Sequence, residues 1–163
     1  MDYYQGVVLD YLRASRTVFL NTECCIQLEA GPNPDRGTHW YCDAVAADFG
    51  KQQVFLCEIS YAKSLGSLLR RLSEWNANWE GVKAALARDC AVPPQWPVQP
   101  WVFIPEDCER AAQAGFERLR KATESGLTMP YPRITHLEDV APWKYRSWDR
   151  KEDLEELSSN AIV

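Results

Sequence analysis

The segment from Gln53 to Tyr61 is apolar on both faces, because Val54, Leu56, Glu58 and Ser60 alternate with Phe55, Cys57, Ile59 and Tyr61. Such a strand needs cover above and below, so it belongs inside a sheet with helices on both faces. A second β-rich run, Thr38 to Asp48, precedes it, with Gly50-Lys51 at the centre of the break. That arrangement predicts an antiparallel hairpin. If the turn is symmetric about Gly50-Lys51, residues whose numbers sum to 101 face one another.

The rest of the chain supplies the helices this strand requires. Val7, Val8, Tyr11 and Leu12 recur at helical spacing between Asp2 and Ser15. A strand from Thr17 to Leu28 follows and stops at Gly31-Pro32-Asn33-Pro34-Asp35-Arg36-Gly37, the strongest loop signal present. Leu65, Leu68, Leu69, Leu72, Trp75, Trp79, Val82 and Leu86 trace one stripe from Lys63 to Cys90, a core-facing helix bent near Asn76-Ala77-Asn78. Val98 to Ile104 is a short apolar strand, and Asp107 is positioned to N-cap a helix ending near Gly126. Pro130 and Pro132 restrict Met129 to Val140 to an edge strand. The order predicts one α/β domain with a mixed sheet over residues 1–148, and a charged tail over 149–163.

At 163 residues the chain suits one such domain. The expected setting is the cytosol: the N-terminus lacks a basic, apolar leader, and no apolar run approaches a membrane span. Six cysteines lie mostly among Val, Ile, Phe and Ala, where free thiols behave as small hydrophobes, and no CxxC spacing marks a zinc site. The formal charge of −5 disfavours a partner held by bulk positive charge. The tail, however, sets two basic residues against five acidic ones, whereas Lys63 to Cys90 has five basic against three acidic. The segment after Glu58 is therefore mildly basic, which permits a phosphate-binding groove.

One carboxylate pair stands out by register. Asp43 and Glu58 sum to 101, so the hairpin opposes them at a Cβ separation of about 5 Å. Two like charges on apolar strands repel and are costly to desolvate. A divalent cation between them removes that objection. His39 and Tyr41 share parity with Asp43 and are expected on the same face.

Cys42-Asp43-Ala44-Val45-Ala46 followed by Val54-Phe55-Leu56-Cys57-Glu58-Ile59-Ser60 resembles the central signature of the PD-(D/E)xK, or restriction-endonuclease-like, nuclease superfamily. The resemblance covers residues 2–105 and implies an αβββαβ core, a mixed central sheet flanked by helices. It further implies Asp43 and Glu58 as ligands of Mg²⁺ or Mn²⁺, the Ile59 carbonyl as a further ligand, and metal-dependent hydrolysis of a nucleic acid phosphodiester. Cys42 stands where the family often has proline, and Ser60 where it has lysine. A serine hydroxyl shares hydrogen bonds but brings no positive charge to the nucleophile or to the phosphate. Lys63, three residues on, has the stem length to return its ammonium to the site and is the candidate replacement; Ser60, Arg70 and Arg71 are candidates for phosphate contact.

Rival chemistries lack their residues, with no GxSxG elbow, Walker-type loop or GxGxxG. The competing reading is a non-catalytic, acidic, Trp-rich protein-binding module, immunity- or inhibitor-like, on the same fold. Seven tryptophans exceed what one core needs, and Trp96, Trp101, Trp143 and Trp148 are expected to be partly exposed. Self-association as a homodimer is a further expectation for a nuclease domain of this size.

Overall fold

The structure is a computed structural model and describes residues 2–32, 37–123 and 128–151. The β-rich runs form a five-stranded sheet in the order of the chain: β1 (Val18–Gln27), β2 (His39–Asp48), β3 (Gln53–Ile59), β4 (Val98–Ile104) and β5 (Arg133–His136). β2 is antiparallel to both neighbours, while β3, β4 and β5 are parallel. The doubly apolar strand lies at the centre, as its composition requires. The hairpin register is also the expected one, with Ala44 opposite Cys57 and Asp48 opposite Gln53.

α1 (Tyr3–Arg13) covers one face with Val8, Leu9 and Leu12 against Ala44, Ala46, Phe55 and Phe103. Its start is a capping box between Asp2 and Gln5. α2 (Gly66–Ala77), α3 (Trp79–Asp89) and α4 (Glu109–Ala122) cover the other face, where Leu72, Trp75, Val82 and Phe116 are fully buried. The single bent helix expected over 63–90 is two helices, broken at Asn78 (φ −122°). Asp107 does not cap α4. It lies in a 3-10 turn, Glu106–Cys108, and α4 starts after Cys108 with no side-chain cap. The last strand is four residues long, because two 3-10 turns, Leu137–Val140 and Pro142–Lys144, take over the rest. Residues 33–36, Gly126 and the tail beyond Lys151 lie outside the described residues.

One irregularity shapes the site. In β1, Val18 and Leu20 pack on the α1 side, yet Cys24 and Ile26, of the same parity, pack in the opposite core. β2 does the same, with Ala44 and Ala46 on one side and Trp40 and Cys42 on the other. Both strands exchange faces at the row of Glu23 and Asp43, which is missing from the otherwise continuous pairing. Glu23 there has φ +52°, a left-handed conformation uncommon for a side-chain-bearing residue.

None of the six cysteines is in a disulfide. Trp101, expected to be partly exposed, is 7% exposed because it packs on Phe55 and Phe103 in the α1-side core, with the Arg133 guanidinium 3.9 Å from its ring centroid. Trp143 and Trp148 are exposed and Trp96 is half-buried. No helix among the described residues is long and apolar enough to cross a membrane.

Candidate active site

β2 and β3 part company at the acidic pair. Their pairing ends at Ala44 and Cys57, after which β2 stays with β1 as far as His39 and β3 stays with β4 as far as Ile59. The Ile59 N–H, which points toward β2, donates instead to Asp43 Oδ2 at 2.7 Å. A carboxylate thus takes the place of a ladder carbonyl, and the strands splay around a cavity of about 190 Å³ lined by Asp43, Glu58, Ser60, Ser67 and Arg71 among others. The two acids predicted to face each other do share one cavity, by insertion of Asp43 rather than by a regular cross-strand pair.

Asp43 is half-buried and also accepts a bond from Gln5 Nε2 at 3.1 Å. Gln5 serves two ends at once: its Oε1 accepts the Asp2 N–H in the capping box, leaving its Nε2 for Asp43. Glu58 is 5% exposed. Arg71 Nη1 donates to both of its oxygens, at 2.9 and 2.8 Å, and to the Tyr41 carbonyl at 2.8 Å.

Burial first and the Asp43 charge second push the Glu58 carboxyl up to about 8, and the Arg71 guanidinium only partly offsets them. Burial raises Asp43 too, eased by the Ile59 N–H, by Gln5 and by Arg71. Desolvation weakens the Arg71 charge, but the attraction and hydrogen bond of Glu58 outweigh it, so this guanidinium is held more firmly protonated than usual. Only above about pH 8, when Glu58 loses its proton, do two carboxylates face the one guanidinium.

The other predicted residues divide. Ser60 lines the cavity, and its N–H is spent on the Phe103 carbonyl. Arg70 borders a neighbouring cavity with His39 and Tyr41. Lys63 does not join the acids: it is exposed and lines a third cavity with Glu106, Asp107 and Cys108, since Leu65 and Leu68 are buried and fix the chain between β3 and α2. The cation beside the acids is Arg71, which the sequence reading assigned only to phosphate. Gln5 was missed, although a capping-box glutamine at the start of the first helix was a readable signal. Cys42, in the proline's place, is fully buried, and its thiol donates to the Ala44 or Cys57 carbonyl.

Asp43 and Glu58 present hard oxygen donors, the kind Mg²⁺ and Mn²⁺ take. Among the described residues no group of three or more His, Cys, Asp or Glu side chains is arranged to hold a metal ion. A cation at this cavity therefore relies on the two acids, main-chain oxygen and water. That is compatible with Mg²⁺, which keeps much of its water and needs only one or two carboxylates. The sequence matches no protein-family model and no curated protein.

Proposed function

We propose that the protein hydrolyses phosphodiester bonds of nucleic acid with a divalent cation, through a restriction-endonuclease-like site at the splayed ends of β2 and β3. The observation that carries this reading is the convergence of two carboxyls: Asp43 and Glu58 line one cavity where the β2–β3 pairing ends, and burial raises both. The chain order, one helix, three strands, a helical crossover and a fourth parallel strand, supports the αβββαβ core. Asp43, Glu58 and the Ile59 carbonyl would hold Mg²⁺ or Mn²⁺, which when bound activates water and stabilises charge developing on phosphorus. Gln5 and the Ile59 N–H orient the Asp43 carboxylate. Arg71 would supply the fixed positive charge that Ser60 lacks, and its N–H groups other than those of Nη1 would meet a phosphate oxygen.

The test is cleavage of labelled DNA and RNA, single- and double-stranded, in Mg²⁺ or Mn²⁺. Asp43→Ala and Glu58→Ala are each expected to lower the rate at least about 100-fold. Activity that survives both substitutions refutes the assignment.

A second reading is favoured by two observations: Arg71 already occupies Glu58, and Lys63 stands apart from the acids. On that reading the same fold is a degenerate nuclease scaffold that binds a protein. A pure preparation that cleaves nothing, with variants that bind Mn²⁺ as well as the parent, selects it.

A further inference from the structure

We infer that the site takes single-stranded nucleic acid, with unpaired bases stacked on tyrosines at the rim of the acidic cavity. This rests on the reading of that cavity as a nucleic-acid site and adds the form of the substrate.

The tyrosines gather there from three separate stretches of chain. Tyr4 precedes Gln5, which bonds Asp43, and Tyr61 follows Ser60, which lines the acidic cavity, while Tyr61 itself lines the cavity that holds Lys63. Their rings stack at 4.6 Å and 26°, joining the start of α1 to the chain beyond β3, and Tyr3 packs edge-on against Tyr4. Tyr61 is 52% exposed. Arg71 and Ser67 line both the acidic cavity and a second one, about 430 Å³, so the two are neighbours. The second cavity carries Tyr41, itself 54% exposed with His39 edge-on to it, and Arg70. Arg70 has no hydrogen bond or ion pair among the described residues. The result is a track of exposed aromatic rings, two guanidinium groups and, between them, the acids.

Such a track suits unpaired bases. In a duplex the bases are stacked on one another and closed to a tyrosine face, and the protein must bind chiefly through phosphates. Two arginines on a chain of net charge −5 supply little of that. Sequence-indifferent single-strand binders add to their phosphate contacts the stacking of bases on aromatic rings, which tolerates any base, and exposed rings are what this surface offers beside its two arginines.

The experiment is fluorescence anisotropy of the full chain with fluorescein-labelled oligo-dT of about 20 nucleotides, oligo-rU of that length, and a DNA duplex of that length. It is run in Ca²⁺ under conditions where a gel shows no cleavage. Single strands are expected to bind at least about tenfold tighter than the duplex, and Tyr61→Ala to weaken them about tenfold. Tyr61→Phe, which keeps the ring, should stay within about twofold, as should Trp143→Ala at an exposed ring elsewhere. A preference for DNA or RNA appears as the difference between the dT and rU arms. Equal or tighter duplex binding overturns the inference, and so does a Tyr61→Ala protein that binds like the parent. The two readings separate: single-strand binding without cleavage in Mg²⁺ sinks hydrolysis alone, whereas duplex cleavage without single-strand binding sinks this inference alone.

Discussion

Glu58 is held at a cost that depends on pH, and the sign of that dependence follows from its environment. Its carboxyl is raised from an ordinary 4.5 to about 8, so between those values the folded protein keeps a proton that the unfolded chain releases. Stability must then fall as pH rises through that window, and Asp43, raised in the same direction, adds to the slope. Glu58→Gln should flatten the slope, matching the parent near pH 4 and exceeding it near pH 8 by about 4 kcal/mol. Denaturant midpoints measured across the range check this; a slope that persists in the variant assigns it to other groups. Glu23 is the second residue with a testable burden. A β-branched side chain tolerates its left-handed backbone poorly, so Glu23→Val should cost about 1–3 kcal/mol in thermal or urea unfolding. It should also lower cleavage, because the facing Asp43 turns on the same row. Nothing in the sequence signals this kink, since glutamate has no preference for positive φ. That Asp43 and Glu58 come together was legible from turn symmetry, whereas the break in the ladder that brings Asp43 to the Ile59 N–H was not.

Among the elements, the break between α2 and α3 explains a polar residue in an apolar stripe. Asn76 is buried, and its Oδ1 accepts the N–H groups of Thr128 and Met129 and lies within hydrogen-bond reach of the Thr128 hydroxyl. Its Nδ2 donates to Thr123 Oγ1. One amide therefore fastens the end of α2 to both sides of the chain that leaves α4. Asn76→Ala leaves two main-chain donors without their partner, and Met129 is itself buried, so the expected loss is about 2–4 kcal/mol in equilibrium unfolding. A loss below about 0.5 kcal/mol would show that water replaces the amide without cost. From sequence the Asn76-Ala77-Asn78 stretch signalled a bend, which is the local half of its role. The long-range half was illegible, because it depends on where α4 returns. The same limit separates Lys63 from Arg71. Spacing along the chain ranked the nearer cation first, whereas a helix rising from buried Leu65 and Leu68 turns its second loop of backbone, and Arg71 with it, over the acids.

For the molecule as a whole, the α/β class, the order of elements along the chain and the β2–β3 hairpin followed from one doubly apolar strand and its flanking periodicities, because covering that strand leaves few arrangements. What escaped the sequence was the fine placement of charge. That placement now gives a prediction for the whole chain. A cation that binds only the native state stabilises it by RT ln(1 + [M]/Kd), about 2.7 kcal/mol at a hundredfold excess over Kd. Mg²⁺ or Mn²⁺ should therefore raise the melting temperature of the parent more at pH 8 than at pH 6, where the Glu58 proton competes with the ion. Asp43→Asn should lose the effect. An equal rise in that variant would locate the ion elsewhere.

The paired face exchange in β1 and β2 also bears on how copies of the chain meet. β1 is an outer strand of the sheet, ten residues long, with Phe19 exposed on it, and a straight strand of that kind is a template for another chain's backbone. The left-handed turn at Glu23 divides that outer border into two short stretches that face different ways. An incoming strand can zip along only about half of it before its own side chains point to the wrong sides. The distortion at the row of Asp43 thereby also shortens the edge open to strand addition.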